Sequence, residues 1–150
     1  MKIKDVIKNK KNNIVFRINL NKTLCEAVEV FTNHRIGSLI VENDGGHIEG
    51  IVTEKDILKV CRELEGDVSE QKVKNAMTPA EDLITVNEDD HIDKAMEIIT
   101  ENRIKHLPVF KDKHLIGLVS IGDLVKAMLD RSRKETQRLQ DYISGDYPEE

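Results

Sequence analysis

The sequence predicts a mixed α/β protein, of the α+β kind, that contains two copies of one β-α-β-β-α unit. The chain aligns with itself at an offset of 68 residues, which changes to 67 after the first hairpin, and 14 of the 40 aligned pairs are identical. Both copies also show the same succession of strand-like and helix-like hydrophobic patterns. One copy alone has too few large side chains to cover both faces of a small sheet, so we expect the two sheets to pack together.

Each copy opens with a short β-like run, at residues 14–18 in the first copy and 83–86 in the second. A helix follows in both, because apolar residues recur at positions i, i+3, i+4 and i+7, namely Leu24, Ala27, Val28 and Phe31, then Ile92, Ala95, Met96 and Ile99. Thr23 and Glu26 predict a capping box at the start of the first helix. Arg35 and Arg103, which match across the repeats, are expected to close the ends of these helices.

A hairpin and a second helix complete each copy. The hairpin strands are predicted at residues 38–42 and 48–53, and again at 106–110 and 115–120. Asp44-Gly45 lies between the first pair, and Asp-Gly between two apolar runs is a strong hairpin signal. The second helix is expected to begin at Glu54 in one copy and at Ile121 in the other.

The segment between the copies predicts the domain boundaries. Residues 63–70 are polar and contain a glycine, which is typical of a loop. Residues 73–77 resemble residues 3–7 and predict a short lead-in helix, which Thr78-Pro79 ends because the residue before a proline avoids the α region. We therefore expect a first repeat with its lead-in over 1–66, a second over 67–129, and an extended C-terminal helical tail over 130–150. Leu139, Tyr142 and Ile143 form an apolar stripe on that tail.

Composition excludes several classes of function. The 23 basic and 28 acidic residues are interspersed and give a net charge of −5, whereas a sequence-independent nucleic-acid binder needs a basic face. The apolar runs are too short to span a bilayer, and the first residues lack the apolar core of a signal peptide. Cys25 and Cys61 stand alone, and the five His residues show no metal-ligand spacing. These features predict a cytoplasmic protein that binds neither nucleic acid nor membrane.

The most distinctive local pattern is the junction between the hairpin and the second helix. A hydroxyl residue ends the strand and a carboxylate follows three residues later, at Thr53 and Asp56 and again at Ser120 and Asp123. One interpretation is structural, because Ser/Thr-x-x-Asp is an N-cap arrangement. The other is functional. A helix start can hold a phosphate, and a carboxylate can accept hydrogen bonds from the two hydroxyls of a ribose.

The doubled pattern Gly-h-h-Thr/Ser-x-x-Asp resembles the ribose-phosphate motif of paired CBS (cystathionine β-synthase) domains, or Bateman modules. Met77-Thr78-Pro79 and residues 103–109 support the resemblance, which covers nearly the whole chain and is greatest to small stand-alone CBS-pair proteins. It implies two clefts related by a pseudo-two-fold axis, and a regulatory module that senses adenine nucleotides (AMP, ADP, ATP or NAD). It also implies a homodimer that acts on an unknown downstream protein.

Carried onto this chain, the resemblance implies one cleft formed by Thr53, Lys55, Asp56, Thr78, Pro79 and Ile84. It implies a second cleft formed by Ser120, Asp123, Lys11, Ile14 and Val15, with Ile36 and Gly37 near the adenine and with Lys105 and His106 within reach of phosphates. The first copy departs from the pattern, since it has Gly37-Ser38 and Lys8-Asn9 where the second has Lys105-His106 and Thr78-Pro79. These departures leave open whether both clefts are filled.

Two alternatives stay open at the level of the sequence. The module could bind S-adenosylmethionine instead, or it could be a ligand-free dimerisation module in which the repeated motifs are only caps. An enzyme is not expected, because the chain shows no P-loop, no nucleophile elbow and no paired carboxylates in a defined cleft. No obligatory cofactor or metal is expected either.

Overall fold

The computed structural model describes residues 1–145 of the 150-residue chain. The helices and strands of this part follow one another in the order α1 (Ile3–Asn9), β1 (Arg17–Asn19), α2 (Leu24–His34), β2 (Ser38–Glu42), β3 (Ile48–Thr53), α3 (Glu54–Glu63), β4 (Thr78–Pro79), β5 (Val86–Asn87), α4 (Ile92–Asn102), β6 (His106–Lys111), β7 (His114–Ser120) and α5 (Ile121–Ser144). The mixed α/β class and the twofold β-α-β-β-α order are confirmed.

The described residues form two compact units. The first-repeat unit consists of residues 14–84, and the second-repeat unit consists of residues 1–13 together with residues 85–145. The lead-in helix α1 therefore packs with the second repeat, although it precedes the first repeat in the chain. The sequence boundaries expected between residues 66 and 67, and between residues 129 and 130, stay a prediction.

The first-repeat unit contains a four-stranded sheet in the order β1-β2-β3-β4. Strands β1 and β2 are parallel, and the other two pairs are antiparallel. Its core combines one face of α2, one face of α3, inward residues of β1, β2 and β3, and one residue of the segment before β4, namely Ile18, Leu24, Ala27, Phe31, Leu39, Val41, Val52, Ile57, Val60 and Val73. The buried positions of α2 recur at the helical spacing predicted from the sequence.

The second-repeat unit contains a three-stranded sheet in the order β5-β6-β7, with β5 parallel to β6 and β6 antiparallel to β7. Helix α1 contributes Ile3, Val6 and Ile7 to the core, where α4 and α5 also bury their apolar faces. The backbone N–H of Ile3 donates to the carbonyl of Asp90 at 2.9 Å, which fixes the start of α1 beside α4.

Both first helices of the repeats end at an arginine in the left-handed conformation. Arg35 has a φ of 53° and Arg103 a φ of 52°, and each N–H donates to the carbonyl four residues earlier. The prediction that these residues close the helices is confirmed. A non-glycine residue adopts this backbone conformation only rarely, so its recurrence at matched positions supports the repeat.

The structure differs from the expectation in the second lead-in. Residues 73–75 form a single 3₁₀ turn and not a longer helix, and Thr78–Pro79 forms strand β4 on the edge of the first-repeat sheet. Pro79 has no backbone N–H to donate. An edge strand tolerates this because it has no neighbouring strand on its outer side.

Helix α5 continues without a break from Ile121 to Ser144, and the expected apolar stripe at Leu139, Tyr142 and Ile143 is exposed. The part of the predicted tail at residues 146–150 lies outside the described residues. Within residues 1–145, no helix is both long enough and apolar enough to span a membrane.

Candidate ligand sites at two helix starts

The start of α3 is a complete capping box. Thr53 accepts a hydrogen bond through Oγ1 from the backbone N–H of Asp56 at 3.3 Å, and the Thr53 N–H donates to Asp56 Oδ2 at 2.9 Å. The Thr53 hydroxyl also donates to Asp56 Oδ2, at 3.1 Å. The second carboxylate oxygen, Oδ1, accepts no hydrogen bond from the described residues and is the acceptor that a ligand hydroxyl can reach.

The glycine of the motif permits a close approach of the lead-in. A Cβ atom at Gly50 would lie 2.1 Å from the carbonyl oxygen of Thr78, which belongs to the backbone and cannot rotate away. Gly50 pairs with Pro79, and Ile51 pairs with Thr78. The glycine therefore brings Thr78 and Pro79 alongside the strand that ends at Thr53, as the sequence pattern predicts for one site.

The other two residues expected at this site are exposed. Lys55 is the second residue of α3, and Ile84 follows the 3₁₀ turn after β4. The backbone N–H of Glu54 donates to the carbonyl of Gly37 at 3.2 Å, and that of Asp56 donates to Thr53. The N–H of Lys55 lies between them without an acceptor among the described residues. It is the donor that this helix start offers to an anion.

The start of α5 repeats this arrangement in the second-repeat unit. The Ser120 N–H donates to Asp123 Oδ2 at 2.9 Å, and the Asp123 N–H donates to Ser120 Oγ at 3.1 Å. The N–H of Ile121 donates to the carbonyl of Lys105 at 2.9 Å, so Lys105 lies beside this helix start as expected. His106 pairs with Ser120 across β6 and β7, which places the two side chains on the same face of the sheet.

The two helix starts differ in one contact that the sequence did not predict. Lys10 follows α1, and its ammonium lies 2.9 Å from Asp123 Oδ2 and 3.0 Å from the carbonyl oxygen of Leu118. Burial raises the pKa of the Asp123 carboxyl, but the Ser120 N–H and the Lys10 ammonium outweigh burial and hold the pKa below its ordinary value. Asp56 has no such cation within residues 1–145. The sequence indicated that the two helix starts differ in one way only, because the first lead-in has Lys8-Asn9 where the second has Thr78-Pro79.

The remaining predicted residues fall in two places. Lys11 lies in the second-repeat unit, next to Lys10, and is exposed. Ile14, Val15, Ile36 and Gly37 lie in the first-repeat unit, where Ile36 packs against the core. Their association with Ser120 and Asp123 in one cleft stays a prediction.

Residues 1–145 contain no group of three or more His, Cys, Asp or Glu side chains that could hold a metal ion. Cys25 and Cys61 are both exposed free thiols. The arrangement at each helix start offers one carboxylate oxygen and one backbone N–H, which suits binding of a polar ligand.

Comparison with known proteins defines the family. The sequence model of the CBS domain family matches residues 3–63 and 73–130, and the chain belongs to this family. CBS domain-containing protein CBSX3, mitochondrial, from Arabidopsis thaliana is 42% identical over 127 residues; the match covers 83% of this chain and 62% of that protein. The chain thus spans less than two thirds of the length of this relative.

Solved structures show the same fold. The CBS-domain containing protein ATU1752 from Agrobacterium tumefaciens matches with a TM-score of 0.79 and 31% identity, over 85% of this chain and 92% of that one. The structure of CBSX2 in complex with AMP matches with a TM-score of 0.69 and 25% identity, over 87% of this chain and 98% of that one.

Proposed function

We propose that this protein is a regulatory module that binds an adenosine-containing ligand at the starts of α3 and α5 and catalyses no reaction. The observation that carries the proposal is the repeated helix start, where Asp56 or Asp123 keeps one carboxylate oxygen without a hydrogen bond from the described residues, in the same first turn as the N–H of Lys55 or Gly122. A carboxylate that only accepts suits the hydroxyls of a ribose, and the helix N–H suits a phosphate.

An adenine nucleotide (AMP, ADP, ATP or NAD) is the ligand class that we favour. The related CBSX2 structure holds AMP, and lysines lie at or near both helix starts, Lys55 in one unit and Lys10 and Lys11 in the other. S-Adenosylmethionine carries a sulfonium cation and would meet these ammonium groups unfavourably.

The first site would use Thr53, Lys55 and Asp56 with Thr78, Pro79 and Ile84, all of which lie in one unit. The second site would use Ser120, Asp123, Lys11, Lys105 and His106, with Ile14, Val15, Ile36 and Gly37 around the adenine. In this proposal the carboxylates hold the ribose and the apolar residues enclose the base.

The proposal is tested by replacing both carboxylates while keeping the caps. In the variant Asp56→Asn with Asp123→Asn, each amide can still accept from the neighbouring N–H, but the charged acceptor for the ribose is lost. A hydrogen bond to a charged group contributes roughly 1.5–3 kcal/mol, so AMP affinity in calorimetry should fall by about tenfold or more.

Glu26→Gln is the matched control, because Thr23 and Glu26 form the same capping box at the start of α2 and belong to no proposed site. This variant should bind AMP as the wild type does. Undiminished AMP binding by the double variant would overturn the ribose assignment.

A ligand-free dimerisation module is the second candidate. Leu58 on α3 is 69% exposed, and its repeat counterpart Val125 on α5 is 42% exposed, so both units present an apolar side chain at the matched position. We propose that these positions take part in a homodimer whether or not a nucleotide binds. A thermal-shift screen against adenine nucleotides separates the two candidate functions. A nucleotide at 100 times its dissociation constant should stabilise a binding module by roughly 2.7 kcal/mol, whereas a ligand-free module should show no shift.

We also propose a cytoplasmic location, and no partnership with nucleic acid or membrane, from the balance of charge and the short apolar runs. Fractionation of cells that produce the tagged full-length protein tests the location, and recovery with organelles or membranes would contradict it.

A further inference from the structure

Helix α5 has a second face that is not used by its own core. Its small and apolar side chains are exposed and follow spacings of four and three residues in alternation, namely Val125, Leu129, Ser132, Thr136, Leu139 and Ile143. We call these six residues the outer face of α5. A spacing that averages 3.5 residues is typical of a helix that packs lengthwise on a partner. Since the last buried residue is Ala127, about 25 Å of helix continue beyond the core at a rise of 1.5 Å per residue.

Two arginines flank the end of this outer face. At 100° per residue, Arg133 lies on one side of the stripe and Arg138 on the other. Glu135 is the only acidic residue between them in the chain. Neither guanidinium group makes an ion pair or a hydrogen bond within residues 1–145. The end of α5 therefore presents apolar side chains between two positive charges that have no partner.

The first-repeat unit presents the opposite charge beside an exposed leucine. Residues 63–70, which we call the acidic segment, contain no basic residue and four exposed carboxylates, those of Glu63, Glu65, Asp67 and Glu70. Leu64 is 46% exposed. Asp67 accepts a hydrogen bond from the N–H of Ser69 at 2.9 Å. The three glutamates make no ion pair or hydrogen bond in the part of the chain that the structure describes.

Other acidic residues that lie together in the chain have partners. The carboxylates that precede α4 pair with lysines, as in Lys4–Asp89 at 3.0 Å and Lys94–Asp90 at 2.9 Å. The acidic segment and the two arginines of α5 have no such partners within residues 1–145. Their charges are available for a contact between molecules.

We propose that the outer face of α5 in one copy packs on the acidic segment of a second copy. Leu139 and Ile143 pack against Leu64, and the flanking arginines pair with the glutamates. This inference rests on the proposed homodimer and not on the binding of a nucleotide. Because a two-fold axis relates the copies, each α5 docks on the other copy and the contact occurs twice. Complementary charge then decides which surfaces meet.

The test reverses the charges of each surface separately in the full chain. The helix variant is Arg133→Glu with Arg138→Glu, and the segment variant is Glu63→Lys with Glu65→Lys. Neutralising one exposed ion pair changes little, whereas reversal places like charges opposite each other in both contacts. The dissociation constant of the dimer, measured by sedimentation equilibrium, should rise by about tenfold or more in each variant.

An equimolar mixture of the two variants should restore the dimer at wild-type affinity. In the mixed dimer, one contact joins a reversed helix to a reversed segment, and the other joins two unaltered surfaces. Glu97→Lys with Glu101→Lys is the matched control, because these exposed glutamates of α4 give the same change of net charge away from both surfaces. The control should dimerise as the wild type does.

Wild-type dimerisation by either variant alone would overturn this inference and leave the homodimer in place. A mixture that stays as dissociated as its components would also overturn it, and would assign the charge contact to α5 and the acidic segment of the same chain. A monomeric wild type would overturn both the contact and the homodimer. AMP affinity should be unchanged in both variants, so failure of AMP to bind the wild type would remove the ligand site and not this contact.

Discussion

Asp56 and Asp123 cap their helices in the same way but lie in different electrostatic surroundings. Lys10 and Asp123 are both largely shielded, with side chains 28% and 22% exposed, and their separation of 2.9 Å makes a direct ion pair. The contact joins residues that are 113 positions apart in the chain, and no local pattern in the sequence indicates it. It makes the second-repeat site less negative than the first before any ligand binds.

Replacement of Lys10 should change both stability and titration. Lys10→Met removes the cation that lowers the pKa of Asp123, and at neutral pH the free energy of unfolding should fall by about 1 kcal/mol. The pKa of Asp123 should rise in the variant, as followed by carboxyl NMR. Because a lowered pKa stabilises the fold only while the group is ionised, wild type and variant should converge in stability as the pH falls through the pKa of folded Asp123.

The neighbouring Lys11→Met is the control for that experiment, because Lys11 is exposed and makes no ion pair within residues 1–145. An Asp123 pKa that is the same in Lys10→Met and in the wild type would contradict the ion pair.

The two motif glycines face different neighbours. At Gly50 a Cβ atom would meet backbone, the Thr78 carbonyl oxygen at 2.1 Å. At Gly117 it would meet the ends of two side chains, Asn13 Oδ1 and Ile7 Cδ1, both at 3.1 Å. Strand β4 therefore depends on Gly50, whereas the segment beside Gly117 can adjust.

Alanine at these two matched positions should have unequal effects. Gly50→Ala should lower the free energy of unfolding by about 2 kcal/mol, because β4 must move away from β3. Gly117→Ala should cost less, since Asn13 and Ile7 can change rotamer. Urea unfolding of both variants measures the difference, and equal destabilisation would show that the approach of Thr78 is not the constraint.

Local chemistry explains which elements could be predicted. The capping boxes, the hairpins and the arginine helix ends depend on neighbours within about five residues, and the sequence indicated each of them. Strand β4 has only two residues, one of them proline, so no periodicity marked it. Its existence depends on the distant Gly50. The packing of α1 with the second repeat and the Lys10–Asp123 pair are likewise contacts between distant segments.

The second half of α5 extends beyond the core of its unit. The last buried residue of this helix is Ala127, and Leu139, Tyr142 and Ile143 are 64%, 66% and 84% exposed. Most of the stability of a helix in a protein comes from tertiary packing of its apolar face, and this half of α5 has no such packing among the described residues. A second copy of the chain, related by a two-fold axis, could cover the apolar stripe and so supply this tertiary contact.

We therefore expect the full chain to be a homodimer in light scattering. Truncation after Asp130 should weaken dimerisation roughly tenfold or more, because the three apolar side chains no longer become buried. Leu139→Ser with Ile143→Ser should have a similar effect, and Arg138→Ser, on the same helix, should have little. A monomeric full-length protein would contradict the dimer, and an equally tight truncated dimer would exclude the tail from it.

The proposed function places an adenosine ligand at the helix starts of α3 and α5. Titration of the labelled full-length protein with AMP, followed by amide NMR, tests it most directly. We expect saturable shifts at the amides of Lys55 or Gly122, and none at Cys25, which has the same position at the capped start of α2. Saturable binding that leaves both Lys55 and Gly122 unmoved, or no binding of AMP at all, would contradict it.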